Sequence, residues 1–273
     1  MSEIVLFELA DEVAVLTFNR PDRLNAWVPE MQTRYFDLLE ECAGRSDVRA
    51  IVLTGAGRGF CAGADMQSLE QLAGGDGEPA SAGHDSRPVT FPLTIPKPVI
   101  AAINGACAGL GFVHALMCDL RFVASEAKLT TAFARRGLVA EHGISWMLPR
   151  LIGPARALDL LLSGRVILGR EAAELGLVNQ VFEPDQLLEE SLAYARTLAA
   201  ESSPASMARM KRQVYADLER PLAESLEDAN RLMAESFAGP DFGEGVRSFV
   251  ERRPPRFEPL SDVPAELADQ PTP

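Results

Sequence analysis

The sequence predicts an α/β protein with crossover-connected strands in its first part and helices in its last. Three observations carry that reading. Short β-branched runs at residues 13–18 (VAVLTF), 49–54 (RAIVLT) and 97–103 (KPVIAAI) are separated by stretches of helical spacing or by loop-like sequence. Small-residue turns follow the second and third of these runs. Beyond Arg165 the strand signal thins to residues 177–182 and helix-start signals take over. Strands joined by helices imply parallel pairing with crossovers.

Taken in order, residues 29–42 place Met31, Tyr35, Leu38 and Leu39 at helical spacing behind an N-terminal proline, which predicts a helix between the first two strands. Residues 73–87 (AGGDGEPASAGHDSR) are rich in Gly, Ser, Ala and acid and read as a mobile surface loop. The third strand ends at Asn104-Gly105, a helix is expected over residues 112–117, and residues 120–123 form a fourth strand. Ser203-Pro204 supplies an N-cap and a proline at the first helical position, Pro221 starts another helix, and residues 241–252 a third. The proline-rich residues 254–273 lack periodicity and read as an extended arm or disorder. These signals divide the chain into a core at 1–200, a helical region at 201–255 and a tail at 256–273.

With 273 residues and 47% hydrophobic content the chain has ample material for a buried core. A net charge of -13 argues against a general nucleic-acid or anionic-membrane surface, since both need clustered cations. It leaves room for an anionic small molecule held by a local group of arginines. Cys42, Cys61, Cys107 and Cys118 form no CxxC pair, and the N-terminus shows no basic region followed by an apolar signal core, so a cytoplasmic location is expected. Residues 99–117 approach membrane-span length, but they contain Asn104, His114 and glycines. A buried strand turning into a buried helix accounts for them better.

Two glycine turns invite functional readings. In IVLTGAGRGFCAGAD, residues 51–65, the spacing is GxGxG rather than the GxGxxG of a dinucleotide fold, and residues 60–63 are expected to continue as irregular chain. No GxxxxGK phosphate loop is present. The second turn, NGACAGLG at 104–111, also follows a strand and precedes a helix. Two such turns can aim backbone N–H groups at one point, as an oxyanion hole does. They can also serve only tight turns and close packing, which is the plainer reading of the spacing alone, and both readings stay open.

The joint pattern of NRPDRLNAW (19–27), FCAGADM (60–66), KPVIAAINGACAGLG (97–111), CDLRFVASEAKL (118–129) and GLVNQV (176–181) resembles the crotonase, or enoyl-CoA hydratase/isomerase, superfamily over residues 3–255. The resemblance implies a spiral of ββα units with a helical C-terminal trimerisation region, a homotrimer or a dimer of trimers, and an acyl-coenzyme A substrate. It implies no separate cofactor, because coenzyme A is part of the substrate, and no metal, nucleic-acid or membrane partner. It also implies that the backbone amides of Ala64 and Leu110 hold the thioester enolate oxygen, with Leu110 putting a bulky side chain where the family usually has glycine. Coenzyme A contacts carry over to Arg23, Ala62, Ala64 and Met66, with Phe249 and Arg252 supplied by a neighbouring subunit.

At the family's two acid-base glutamate positions this chain has Val113 and Phe133, and neither can transfer a proton. Isomerases of the family that resemble the stretch LVAEHGISW (138–146) keep an acid eight positions beyond the second glutamate, which here is Glu141. Glu141 has two roles open to it, capping a helix N-terminus or carrying the proton. Burial beside Val139, Ile144 and Trp146 is expected to suit it to the second. The resulting expectation is double-bond isomerisation of an enoyl-CoA through one carboxylate. Hydration with atypical acid-base residues, or a catalytically silent acyl-CoA-binding paralogue, are the alternatives. His114 and His142 have no assigned role. Phe112, Phe133 and Trp146 are expected to line the acyl pocket or to be plain core.

Overall fold

The computed structural model describes residues 3–75 and 85–260, and in it the chain winds through two sheets. The strands are β1 (Val5–Ala10), β2 (Val13–Phe18), β3 (Ala50–Gly55), β4 (Gly59–Cys61), β5 (Val99–Ile103), β6 (Ala106–Ala108), β7 (Leu120–Ala124), β8 (Lys128–Thr130), β9 (Ile167–Leu168) and β10 (Gln180–Phe182). The helices are α1 (Pro29–Gly44), α2 (Met66–Ala73), α3 (Leu110–Leu116), α4 (Ile144–Ile152), α5 (Pro154–Ser163), α6 (Gly169–Glu174), α7 (Leu187–Glu201), α8 (Pro204–Asp217), α9 (Leu222–Ala238) and α10 (Pro240–Glu251). One sheet runs β1-β2-β3-β5-β7-β10 and the other β4-β6-β8-β9. Each turn of the spiral lays one strand in the larger sheet and the next in the smaller, as β3 then β4, β5 then β6, and β7 then β8.

Burial explains the strand sequences. In β3 and β5 every residue is buried, so both faces read as continuous apolar runs, as central parallel strands do. Strand β1 alternates and closes the edge antiparallel to β2. Helix α1 turns Met31, Tyr35, Phe36, Leu38, Leu39 and Cys42 inward. Its C-terminal carbonyls are satisfied by the buried Lys97, whose Nζ donates to Cys42 O and Arg45 O at 2.5 Å each. Asp119 ties helix α8 to the core, accepting from Val99 N at 2.7 Å, Lys211 Nζ at 2.8 Å and Tyr215 Oη at 2.9 Å.

Several expectations need correction. The edge strand β1 was not foreseen, because its alternation is shallow and half exposed. The segment expected to be irregular after Gly59 begins with strand β4, which pairs with β6 through a register shift. The helix expected at 112–117 starts at Leu110, and the strand expected at 177–182 is confined to Gln180–Phe182. Pro221 precedes α9 as its N-cap instead of opening it. Ser203 does cap α8, its side chain accepting from Ser206 N at 3.0 Å. The expected loop at 73–87 lies largely outside the described residues, as does most of the tail at 256–273. Among the described residues no helix is long and apolar enough to cross a membrane.

Candidate active site

The parallel pairing of β4 with β6 sets the two glycine turns side by side. In the first, Gly63 has φ +95°, and in the second, Gly109 has φ +49°, both in the left-handed region that glycine adopts without strain. A Cβ on Gly63 would lie 2.8 Å from Ala108 O, and one on Gly111 would lie 2.1 Å from Cys61 O. The two backbones therefore touch in a way no side chain permits. The residues that follow the left-handed glycines are Ala64 and Leu110, whose amides donate no hydrogen bond among the described residues. Leu110 is also the first residue of α3, so its N–H is one of the helix's unpaired donors. Two free donors on adjoining turns fit an anion-holding site better than turns built only for packing.

The Ala64 turn is braced from outside. Trp27 N donates to Gly63 O at 2.7 Å and Asp65 N donates to Trp27 O at 3.0 Å, bracketing Ala64 without using its amide. Asp65 caps α2 by accepting from Gln67 N at 3.0 Å, and it pairs with Arg20 Nη2 at 2.9 Å. Burial pushes the Asp65 carboxyl up, but the Gln67 amide and the Arg20 guanidinium outweigh that and hold it below the ordinary carboxylate range. Arg20 also donates to Ala26 O. Arg20 lies within NRPDRLNAW, but nothing near it in the sequence marks it as the partner of Asp65.

The other expected binding residues are placed as follows. Arg23 is exposed at the end of a 3-10 turn, and Met66 is exposed at the start of α2. The Ala62 amide is already used, donating to Leu24 O at 3.0 Å, which leaves its carbonyl for a ligand. Phe249 is 85% exposed on α10, and Arg252 ends that helix in the left-handed conformation with φ +54°. Among the described residues no hydrogen bond or ring contact joins either to the turn at 62–66.

Val113 and Phe133 are buried and apolar, packed in the central cluster with Leu110 and Phe112. Trp146 is only partly buried and stacks under Arg150, whose guanidinium carbon lies 4.0 Å from the ring centroid. Glu141 stands just before α4 but does not cap it. Gly143 is the N-cap, no side chain caps it, and only the Glu141 carbonyl is engaged, accepting from Ile144 N at 3.1 Å. The expected burial is only partial: Ile144 is buried and Trp146 partly so, but Val139 is 76% exposed and the Glu141 side chain 32% exposed.

The turn at 141–143 lies against the far end of α3, since a Cβ on Gly143 would sit 3.7 Å from Met117 Cε and 3.6 Å from Thr90 Cγ2. Leu110 opens the same helix. Seven residues at 1.5 Å each put the two ends of α3 about 10 Å apart. The His142 Nε2 is 3.8 Å from Glu141 Oε2, an ion-pair distance once the imidazole is charged. Burial pushes the His142 pKa down and Glu141 partly opposes it. Among the described residues no cluster of three or more His, Cys, Asp or Glu could hold a metal ion.

The match to known proteins decides the lineage. Residues 8–259 fit the family model for enoyl-CoA hydratase/isomerase. The chain belongs to the enoyl-CoA hydratase/isomerase family. It is 34% identical to the 1,2-epoxyphenylacetyl-CoA isomerase of Escherichia coli over 94% of this chain and 99% of that protein. Among solved structures it resembles an enoyl-CoA hydratase of Mycobacterium marinum at 50% identity and TM-score 0.69, covering 80% of this chain and all of that one. An enoyl-CoA hydratase of Mycobacterium tuberculosis gives 30% identity and TM-score 0.85, covering 93% of this chain and 98% of that one. The two-sheet spiral of this family member is thus the crotonase fold.

Proposed function

We propose that this family member isomerises the double bond of an enoyl-CoA. The Ala64 and Leu110 amides hold the thioester oxygen as an enolate, and Glu141 takes a proton from one carbon of the acyl chain and returns it two carbons away. The observation that carries the reading is the position of the Glu141 turn against the far end of α3 while Val113 and Phe133 leave the near positions without a carboxylate. A single carboxylate set along the acyl chain suits transfer within one molecule, whereas hydration needs a positioned water and a second acid-base group.

The test compares conversion of 3-enoyl-CoA to 2-enoyl-CoA with hydration of 2-enoyl-CoA, in the parent and in Glu141→Gln. Loss of isomerisation in the variant supports the assignment, and an unchanged rate rejects it. Hydration is the second reading, favoured by the hydratase names of the two structural neighbours. A parent that binds acyl-CoA without turning any over would instead be the silent paralogue.

On this reading coenzyme A enters as part of the substrate, held near Arg23, Ala62, Ala64 and Met66, and no separate cofactor takes part. Residues 1–200 form the catalytic core, and the helices over 201–255 assemble three chains, or six as paired trimers. Exposed Met210, Val214, Leu222, Phe237 and Phe249 support an assembly surface there. A neighbouring chain would then bring its Phe249 and Arg252 to the coenzyme. Four unpaired, buried cysteines agree with a reducing cytoplasm.

A further inference from the structure

The fully buried histidine on α3 takes no part in the chemistry described so far. His114 is 0% exposed, and neither Nδ1 nor Nε2 has a hydrogen-bond partner among the described residues. The same is true of Nε1 of the equally buried Trp27. Buried polar atoms without partners are costly, and an aliphatic side chain would remove the cost at this position. What the imidazole does have is ring geometry. It stacks on the Trp27 indole with centroids 3.9 Å apart and planes at 27°. Tyr35 meets it edge-on at 5.8 Å, and Phe18 holds the other ring edge-on at 5.3 Å.

The two stacked residues belong to the two halves of the oxyanion site. The Trp27 backbone brackets Ala64 by its bonds to Gly63 O and from Asp65 N. His114 lies one helical turn after Leu110 on α3, whose first turn is closed by Val113 N donating to Gly109 O at 3.0 Å. Both side chains are fully buried, beneath the turns rather than on the surface. We infer that the Trp27–His114 stack is a positioning pair that sets the separation of the Ala64 and Leu110 amides, and so the strength with which they polarise the thioester carbonyl. The inference rests on the oxyanion reading given under Proposed function. Flat rings hold a separation more stiffly than a flexible aliphatic contact, because stacking fixes both distance and tilt. The imidazole stays neutral through the working range, since burial pushes its pKa down to about 3.

The carbonyl itself provides the readout. A saturated acyl-CoA labelled with carbon-13 at the thioester carbonyl binds without reacting, and its infrared stretch moves to lower frequency as the two amides tighten on the oxygen. The parent is expected to show that shift. His114→Leu, apolar but not planar, is expected to lose most of it and to lower kcat about tenfold with KM nearly unchanged, a misplacement effect smaller than loss of a whole donor. His114→Phe, which restores a flat ring without nitrogen, is expected to recover both the shift and kcat. Should His114→Leu not fold, His114→Met gives the same comparison. The inference is overturned if the folded Leu or Met variant keeps the parent's carbonyl shift, or if it and the Phe variant behave alike. Glu141→Gln separates this from the base assignment: undiminished turnover there removes Glu141 as the base while the carbonyl comparison stands. A parent with no carbonyl shift overturns the oxyanion reading and this inference with it.

Discussion

Substituting His114 by phenylalanine removes one acid-sensitive group from the centre of the core, and its effect on stability can be worked out. In the unfolded chain the imidazole titrates near its ordinary value of about 6.5. In the folded chain burial, aided by the nearby His142, pushes it down to about 3. Between those values the unfolded state carries the additional proton, so stability falls as pH falls from 6.5 towards 3. At pH 5 the gap to the unfolded value is about 1.5 units, and at about 1.4 kcal/mol per unit the parent loses about 2 kcal/mol that it has at pH 7. Burial of His114 is complete, so solvent screening does not discount the figure. Urea denaturation of parent and His114→Phe at pH 7 and pH 5 measures it, because every other titrating group is common to both. The variant's loss between the two pH values is expected to be about 2 kcal/mol smaller than the parent's. Equal losses in the two proteins would refute the claim that a neutral, unsolvated imidazole is locked in the core.

The remaining expectations are more local. Glu141→Gln is expected to lower isomerisation by about 10²- to 10⁴-fold, the usual worth of a positioned proton carrier, while His142→Gln keeps most of the activity; steady-state rates on a 3-enoyl-CoA check both. Gly63→Ala forces a Cβ to 2.8 Å from Ala108 O at φ +95°, and a loss of about 1–3 kcal/mol in denaturant unfolding, together with reduced kcat, is expected. Asp119→Ala removes the acceptor of three donors at once, leaving Val99 N and Tyr215 Oη without a partner among the described residues and Lys211 with only the Pro92 and Lys97 carbonyls. A loss of about 3 kcal/mol is expected, visible as a lower unfolding midpoint and early exchange of amides in α8.

Parts of this molecule were legible because they obey short-range rules. The continuous apolar runs of β3 and β5, the inward stripe of α1 and the serine cap of α8 follow from residue type and spacing alone. Other parts fail those rules. Strand β4 has three residues, two of them Gly59 and Cys61, and it exists because β6 pairs with it across the spiral. The carboxylate of Glu141 is legible in the sequence, but its burial is not: of the neighbours expected to cover it, Ile144 is buried while Val139 points to solvent. Arg20 was missed because a lone arginine beside a proline carries no signal until Asp65 is brought to it from 45 residues away.

What the sequence by itself determined was the alternation of strand and helix, the glycines that permit two left-handed turns, and the absence of a carboxylate at residues 113 and 133. Those properties belong to single residues or to neighbours along the chain, where sterics and side-chain chemistry act directly. Only the tertiary structure decided that the two turns adjoin, that their amides are left free, and that His114 on α3 stacks against Trp27 beside the first turn. The reason is that a hydrogen-bond vacancy and a ring stack are relations between segments distant in sequence, and the parallel pairing of β4 with β6 is what makes those segments neighbours.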